Sequence, residues 1–418
     1  MRKLITTLGL LILSLPATTT ADESSPYVLL NFDDESINLS NWNQPENRHW
    51  SWWNLEKLMP FPVEIGKGEL PVHEFGMRPI DLSKITVAYD GREIDLAEYF
   101  DHARVDGFLV IKDNDIVYEA YPRQMRRDDR HIVMSSSKSF IAATLGDMVE
   151  AGAIDLDATF EKYIPDIGQG YSGVTLQDAL DMNAPIKWSE DYKDAQSEGM
   201  VIFRAEAMHP GYEEWAGGAR DFIRTLRKSD SHETGTMHYV TANASVVGWA
   251  LTEITGIPWN RIAQKAIWEK IGAEQNAMNF EDQTGYGQSS GSFVMTTRDF
   301  ARYAQIYANK GVAANGQRIF SESWFETIVS NPNSTSISGT DSRYTYFIVV
   351  DADGAMHHSG YGGQIWYANP ATGVVIVQMA TSDTPSASSP PEVSAARVQV
   401  LKNIDAFLNS VPDSNGPD

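Results

Sequence analysis

The sequence predicts a mixed α/β fold in which one sheet is assembled from both ends of the chain around a helical middle. Three observations carry this. Two apolar, β-branched-rich runs flank Asp113-Asn114-Asp115 within residues 106–121, the pattern of a β-hairpin. Residues 155–260 are mostly helical in pattern, broken by loops. Short apolar runs at 344–350, 364–368 and 373–380 then restore strand character late in the chain. Strand pairs and helices that alternate this way argue for a layered α/β arrangement.

Taken in order, residues 1–21 read as a signal peptide. Arg2 and Lys3 precede the apolar run Leu4 to Leu15, and Thr19-Thr20-Ala21 supplies small residues for cleavage. That run is short for a membrane span. With no cysteine behind it, no lipid attachment is available, so a periplasmic or extracellular protein without a membrane anchor is expected. Residues 22–100 read as an irregular, Trp- and Pro-rich segment that wraps the main domain. Trp42, Trp50, Trp52 and Trp53 pack there as large apolar surfaces rather than as a sugar platform. The main domain over 101–410 follows, with the helical subdomain at about 155–260 inside it. Residues 135–151 read as a buried helix, since Phe140, Ile141, Leu145, Met148 and Val149 recur at helical spacing. Further helices are expected at 258–272, 296–310 and 399–410. The tail 411–418 reads as disordered.

Composition narrows the chemistry. The 418 residues include no cysteine, which excludes disulfides, thiolate metal sites and a thiol nucleophile. Net charge is −23, a surface that repels phosphate backbones and anionic lipids, so nucleic acid is not an expected partner. The nine histidines form no H-E-x-x-H pattern, and no Gly-rich phosphate loop follows a strand. Neither metal nor cofactor is expected. Oligomeric state is not readable.

The chemistry centres on Ser135-Ser136-Ser137-Lys138 at the start of the buried helix. Residues i and i+3 share a helix face, so the Ser135 hydroxyl and the Lys138 amine come within hydrogen-bond reach. Serine needs an adjacent base to become a nucleophile. A lysine serves if burial makes its amine neutral. Ser136 and Ser137 read as capping or support groups. A second segment, Tyr239-Val240-Thr241-Ala242-Asn243, offers Tyr239 as a proton relay if Lys138 depresses its pKa. Thr241 and Asn243 are candidates to hydrogen-bond Lys138 or substrate. A third, His358-Ser359-Gly360-Tyr361-Gly362-Gly363-Gln364, enters a strand. Its glycines would let substrate approach the backbone. The N–H groups of Tyr361 and Ser135 would form an oxyanion hole. His358 would bind a carboxylate or carbonyl. Trp188, Tyr192 and Trp366 read as core, with acyl-pocket lining as the other reading. Gly287-Gln288-Ser289-Ser290-Gly291 matches the G-x-S-x-G elbow, but the polar EDQTGY before it and SFVMTT after it lack the strand–turn–helix context.

In order, S-S-S-K, Y-V-T-A-N and H-S-G resemble the three motifs of the serine β-lactamase and penicillin-binding-protein superfamily, in its class C-like and esterase branch. GFLVIKDNDIVYEAY, VTLQDALDMNAPIKW and HYVTANASVVGWALTEITG extend the likeness. NRHWSWWNLEKLMPF is similar to 6-aminohexanoate-dimer hydrolases, and the resemblance spans roughly residues 40–410. It implies an antiparallel sheet flanked by helices with an all-helical subdomain, and a site between them. It implies Ser135 as nucleophile, Lys138 as base, Tyr239 as proton relay, and Ser135 and Tyr361 N–H groups as the oxyanion hole. Two positions depart from the pattern. Thr241 stands where Tyr-x-Asn is common, with Asn243 two residues on. His358 stands where Lys-Thr-Gly is common, and a histidine is only partly charged near neutrality. The resemblance therefore implies an acyl-enzyme that cleaves a small-molecule ester or linear amide. Its alternatives are a β-lactamase or D-alanyl carboxypeptidase, and a catalytically silent penicillin-recognising protein.

Overall fold

A computed structural model describes residues 36–382 and 391–410. The expected signal peptide and the expected disordered tail lie outside the described residues.

The main sheet has nine strands. In chain order its early members are β2 (Gly76–Met77), β5 (Val105–Lys112) and β6 (Asp115–Ala120). Its late members are β10 (Thr335–Ser336), β11 (Arg343–Thr345), β12 (Ile348–Val350), β13 (Met356–Gly360), β14 (Gln364–Asn369) and β15 (Val374–Ala380). The spatial order is β10-β11-β12-β13-β14-β15-β5-β6-β2. All neighbours run antiparallel except the β2–β6 pair at one edge. The sheet thus joins the two ends of the chain at the β15–β5 seam, as the sequence predicts.

The expected hairpin is β5–β6. Lys112 pairs with Asp115, and the two residues between, Asp113 and Asn114, have φ of 55° and 69°. Positive φ at both central positions is the type I′ geometry whose twist matches flanking strands, and Asp and Asn tolerate it. Side chains alternate across the sheet with period two. Leu109, Ile111, Val375, Val377 and Met379 belong to the core on one face. Phe108, Val110, Val374 and Ile376 belong to a second core on the other. Covering both faces explains why β14 and β15 are buried throughout and read as near-continuous apolar runs.

Helices complete the layers. In chain order they are α1 (Arg48–Ser51), α2 (Leu96–Ala103), α3 (Ser139–Glu150), α4 (Leu176–Leu180), α5 (Glu198–Ala205) and α6 (Ala219–Thr225). They continue as α7 (Thr241–Thr255), α8 (Trp259–Ala263), α9 (Thr297–Ala308), α10 (Glu322–Val329) and α11 (Pro391–Ser410). Residues of α3 and α9 fill the first core, and residues of α2 and α11 the second. Between residues 155 and 260 the regular elements are all helical.

The lead-in is more regular than the sequence predicts. Besides β2 it holds β1 (Pro62–Ile65) and the β3–β4 hairpin (Thr86–Tyr89 with Arg92–Asp95). β1 opens a second, antiparallel sheet with β8 (Ala277–Phe280), β9 (Val294–Met295) and β7 (His131–Ile132). β1 and β7 take their register from β8 and β9, far along the chain (Pro62 with Phe280, His131 with Met295), so no local pattern announces them. The tryptophans behave as expected of packing groups: Trp42, Trp50 and Trp52 are buried. Trp42 Nε1 donates to the Met208 carbonyl at 2.8 Å, and the Ile132 N–H donates to the Trp52 carbonyl at 3.2 Å. The wrapping segment is therefore tied directly to β7, the strand that delivers Ser135.

Candidate active site

The chain leaves β7 and enters a 3₁₀ turn, Met134–Lys138, that runs on into α3. Met134 opens it with φ 48°, a left-handed conformation that costs a non-glycine residue about 1–3 kcal/mol. The sequence predicts a helix from Ser135. The 3₁₀ geometry is tighter and eclipses side chains at i and i+3. Lys138 Nζ consequently donates to Ser135 Oγ at 2.7 Å. The other serines are spent on support. Ser136 Oγ donates to the His358 carbonyl at 3.0 Å, which stitches the turn to β13, and Ser137 Oγ donates to the Met134 carbonyl at 2.7 Å.

Lys138 is fully buried. Burial pushes its amine down to about 8, against the opposing pull of the Glu190 and Glu206 carboxylates. Besides Ser135, Nζ donates to the Ser290 carbonyl. It lies 5.4 Å from the centroid of the Tyr239 ring, so Tyr239 meets Lys138 with its π-face. The phenol pKa is raised, not depressed as the sequence reading requires of a proton acceptor. Burial and the nearby Glu190 charge raise it, and a hydrogen bond with Ser135 only partly opposes them. In the free enzyme Tyr239 therefore holds its proton and can donate it.

The neighbouring candidates separate. Thr241 lines the recess beside Ser135, and its N–H donates to Glu190 Oε1 at 3.0 Å. Asn243 is a correction. It is fully buried, Tyr171 donates to its Oδ1 at 2.8 Å, and its Nδ2 faces Met182 Sδ at 3.4 Å. It serves the core of the helical region rather than Lys138, because the two helical steps from Thr241 to Asn243 turn the side chain by about 200°.

On β13, His358 is buried and its Nε2 meets the Tyr344 hydroxyl at 2.9 Å. Burial and the Lys138 charge hold its pKa well below the ordinary value, so it is neutral rather than partly charged and is a poor carboxylate anchor. Gly360 is a second correction. A Cβ there would meet the Val133 carbonyl at 2.5 Å, so the glycine admits the Ser135 segment, not substrate. Tyr361 lies beside Ser135 in both neighbouring cavities. Arg48 fixes its ring: Nη2 donates to the phenol oxygen, and the guanidinium carbon lies 4.8 Å from the ring centroid. Gly362 follows at φ 76°, where a Cβ would fall 2.2 Å from Trp52 Cη2. The wrapping segment thus shapes this loop.

Sequence reasoning left several residues between two readings or unnamed. Tyr192 lines the site instead of the core and donates to Glu190 Oε2. Trp366 stays core, donating to Ser139 Oγ at 3.1 Å. In the G-x-S-x-G stretch, Ser289 is 2% exposed and donates to the Ala244 carbonyl at 2.8 Å, so it is no exposed elbow nucleophile. Its neighbour Ser290 nonetheless belongs to the site through Lys138. Glu206 caps the C-terminal end of α5 and carries no spacing signal to any motif. The one available signal is its charge in the stretch VIFRAEAM, where Arg204 is the other charged residue.

Ser135 stands where two spaces meet. One is a recess of about 30 Å³ walled by Lys138, Glu206, Thr241, Gln288 and Ser290. The other is a cavity of about 770 Å³ bounded by Tyr239, Ile337, Tyr344, Val349 and Val398. A nucleophile, an adjacent amine, a phenol and a cavity of ligand size fit acyl transfer. Among the described residues, no cluster of three or more His, Asp or Glu is placed to hold a metal ion.

Fold and site together define an enzyme of the serine hydrolase class. The sequence profile described as Beta-lactamase matches residues 96–400, and the chain belongs to that family. It is a hydrolase of that family and is similar to 6-aminohexanoate-dimer hydrolases. It is 27% identical over 359 residues to the 6-aminohexanoate-dimer hydrolase of Paenarthrobacter ureafaciens, covering 83% of this chain and 88% of that one. A Bacillus anthracis structure provisionally named 6-aminohexanoate-dimer hydrolase superposes with a TM-score of 0.79 at 21% identity, covering 91% of this chain and 99% of that one. EstCE1, a hydrolase with promiscuous acyltransferase activity, superposes with a TM-score of 0.57 at 15% identity, covering 72% and 95%. The last two likenesses concern the fold.

Proposed function

We propose that this chain is an exported serine hydrolase that cleaves a small-molecule ester or linear amide through an acyl-enzyme on Ser135. The observation that carries the reading is Lys138 Nζ at 2.7 Å from Ser135 Oγ, with burial lowering the amine to about 8. A base poised near the working pH combines the correct protonation state with driving force. Neutral Lys138 takes the Ser135 proton as Oγ attacks the carbonyl carbon. The N–H groups of Ser135 and Tyr361 receive the oxyanion. Tyr239, still protonated, passes a proton to the departing oxygen or nitrogen. Water then releases the acid.

The relative named for the 6-aminohexanoate dimer supports a linear amide as substrate class. A neutral His358 removes the cation that would hold a β-lactam carboxylate, which favours esters and linear amides over β-lactams. Export rests on Arg2, Lys3, the apolar run 4–15 and the small residues up to Ala21.

Intact-mass spectra of the secreted protein, with and without a fluorophosphonate, test both parts. The expected result is a chain beginning after Ala21 that gains one adduct, keeps it in Ser289→Ala and loses it in Ser135→Ala. p-Nitrophenyl ester turnover should fall at least about a thousandfold in Ser135→Ala alone. An adduct that persists in Ser135→Ala sinks the mechanism, and an unprocessed N-terminus sinks the export.

A further inference from the structure

The acyl-enzyme must be opened by water, and the recess beside Ser135 is the right size for it. Its volume of about 30 Å³ exceeds the roughly 10–15 Å³ that one water needs. Its wall is polar where it matters. Thr241 Oγ1 is buried there with no well-formed hydrogen bond, only the nearness of the Tyr192 phenol. Glu206 is 2% exposed. The Ser245 hydroxyl donates to Oε1 at 2.8 Å, and the Ser290 hydroxyl lies 3.0 Å from both carboxylate oxygens. Gln288 Nε2 donates to the Glu206 main-chain carbonyl. The carboxyl is thus fixed from α7 and from the 286–291 loop at once, beside the nucleophile and away from the broad cavity.

We propose that Glu206 is the general base of the second half-reaction, holding and deprotonating the water that hydrolyses the Ser135 acyl-enzyme. The inference rests on the acyl-enzyme reading above and assigns a group that acylation does not use. Glu206 takes one proton as the water oxygen bonds to the acyl carbon. The bond from that carbon to Ser135 Oγ then breaks. Oγ regains a proton by way of Lys138, and the proton on Glu206 makes good that loss. One water is consumed, and one acid and the free serine result.

The charges around the carboxyl suit the task. Burial pushes Glu206 up to about 7; Lys138 opposes this from the 3₁₀ turn, and Asp282 adds to it from the loop after β8. Tyr286 beside it, and Tyr192 and Tyr361 on the recess wall, are titratable too, and burial raises all three so that they stay phenols. Lys138 faces Glu190, Glu206 and His358. A carboxylate near pH 7 is a competent base at neutrality.

The test is a burst experiment with p-nitrophenyl acetate on the full mature protein, comparing wild type with Glu206→Gln. The variant should release one equivalent of nitrophenol at near-wild-type rate and then stall. Steady-state turnover should fall about a hundredfold to ten-thousandfold, with the acetyl-enzyme trapped on Ser135 in the mass spectrum. Unchanged turnover, or a burst that slows as much as turnover without an accumulated adduct, overturns the assignment. Should the variant fail to fold, wild type decides it. Decay of its acetyl-enzyme should rise with pH through about 7, while acylation rises through about 8. A decay rate that is flat across that range overturns the proposal equally. A wild type that never acylates Ser135 instead overturns the parent reading, so the two failures are distinct.

Discussion

The recess and the broad cavity share Ser135 but are built differently. The recess takes its walls from elements locked together over long range: the 3₁₀ turn, the end of α5, the start of α7 and the 286–291 loop. Its charged groups Lys138 and Glu206 are both buried and both hydrogen-bonded. The cavity takes its walls from β12, β13, the 337–342 loop and α11. Its apolar residues are partly exposed, as Val398 at 40% illustrates. The difference teaches a division of labour. Groups whose protonation must be tuned sit where water is excluded and electrostatics are strong. Groups that sort substrates sit on loops and edges, where change is tolerated.

That division can be broken at three places. Lys138→Met removes the base from the recess and should lower kcat/KM by about a thousandfold or more. The sign of its pH dependence follows from its neutral role. Protonation abolishes the base, so wild-type kcat/KM should rise as pH rises through about 8. A flat profile would mean that Lys138 does not act as base. Tyr239→Phe alters the cavity wall beside Ser135. It keeps the ring face against Lys138 and removes only the proton donor, so kcat should drop about a hundredfold. The drop should be large for alkyl esters and amides, whose leaving groups need a proton, and small for p-nitrophenyl esters. An equal loss on both would reduce Tyr239 to a packing role. The smallest effect belongs to the cavity. Ile337→Ala removes three carbons from a partly exposed wall and should raise KM for a bulky ester a few-fold, about 1 kcal/mol in all, and leave kcat and acetyl-ester turnover unchanged. If kcat moved instead, the cavity would be part of the chemistry and the contrast would fail.

Much of the site was legible where function is encoded over one turn of chain. Ser135 and Lys138 stand three residues apart, and the tight turn simply shortens the contact. The β5–β6 hairpin, α3, α9 and the late strands were legible too, because apolar period and turn residues are local signals. The same reading misplaced Asn243 and Gly360. It offered the Asn243 amide to Lys138 or substrate and the Gly360 backbone to substrate, when the turn of α7 and the approach of Val133 give both a structural use. It put Tyr192 in the core ahead of the pocket and missed Glu206, since nothing near them in sequence says which cavity wall they will join.

By itself the sequence determined the class of chemistry. Residue types at short spacing set the nucleophile and its base, and hydrophobic period set the sheet and its covering helices. Only the tertiary structure decided the ionisation of the site. Lys138 is lowered, and Tyr239 and Glu206 are raised, because distant segments close over them and remove water. Desolvation depends on everything packed around a group. No stretch of sequence contains that surrounding, so it exists only once the wrapping segment, the helical middle and the sheet have met.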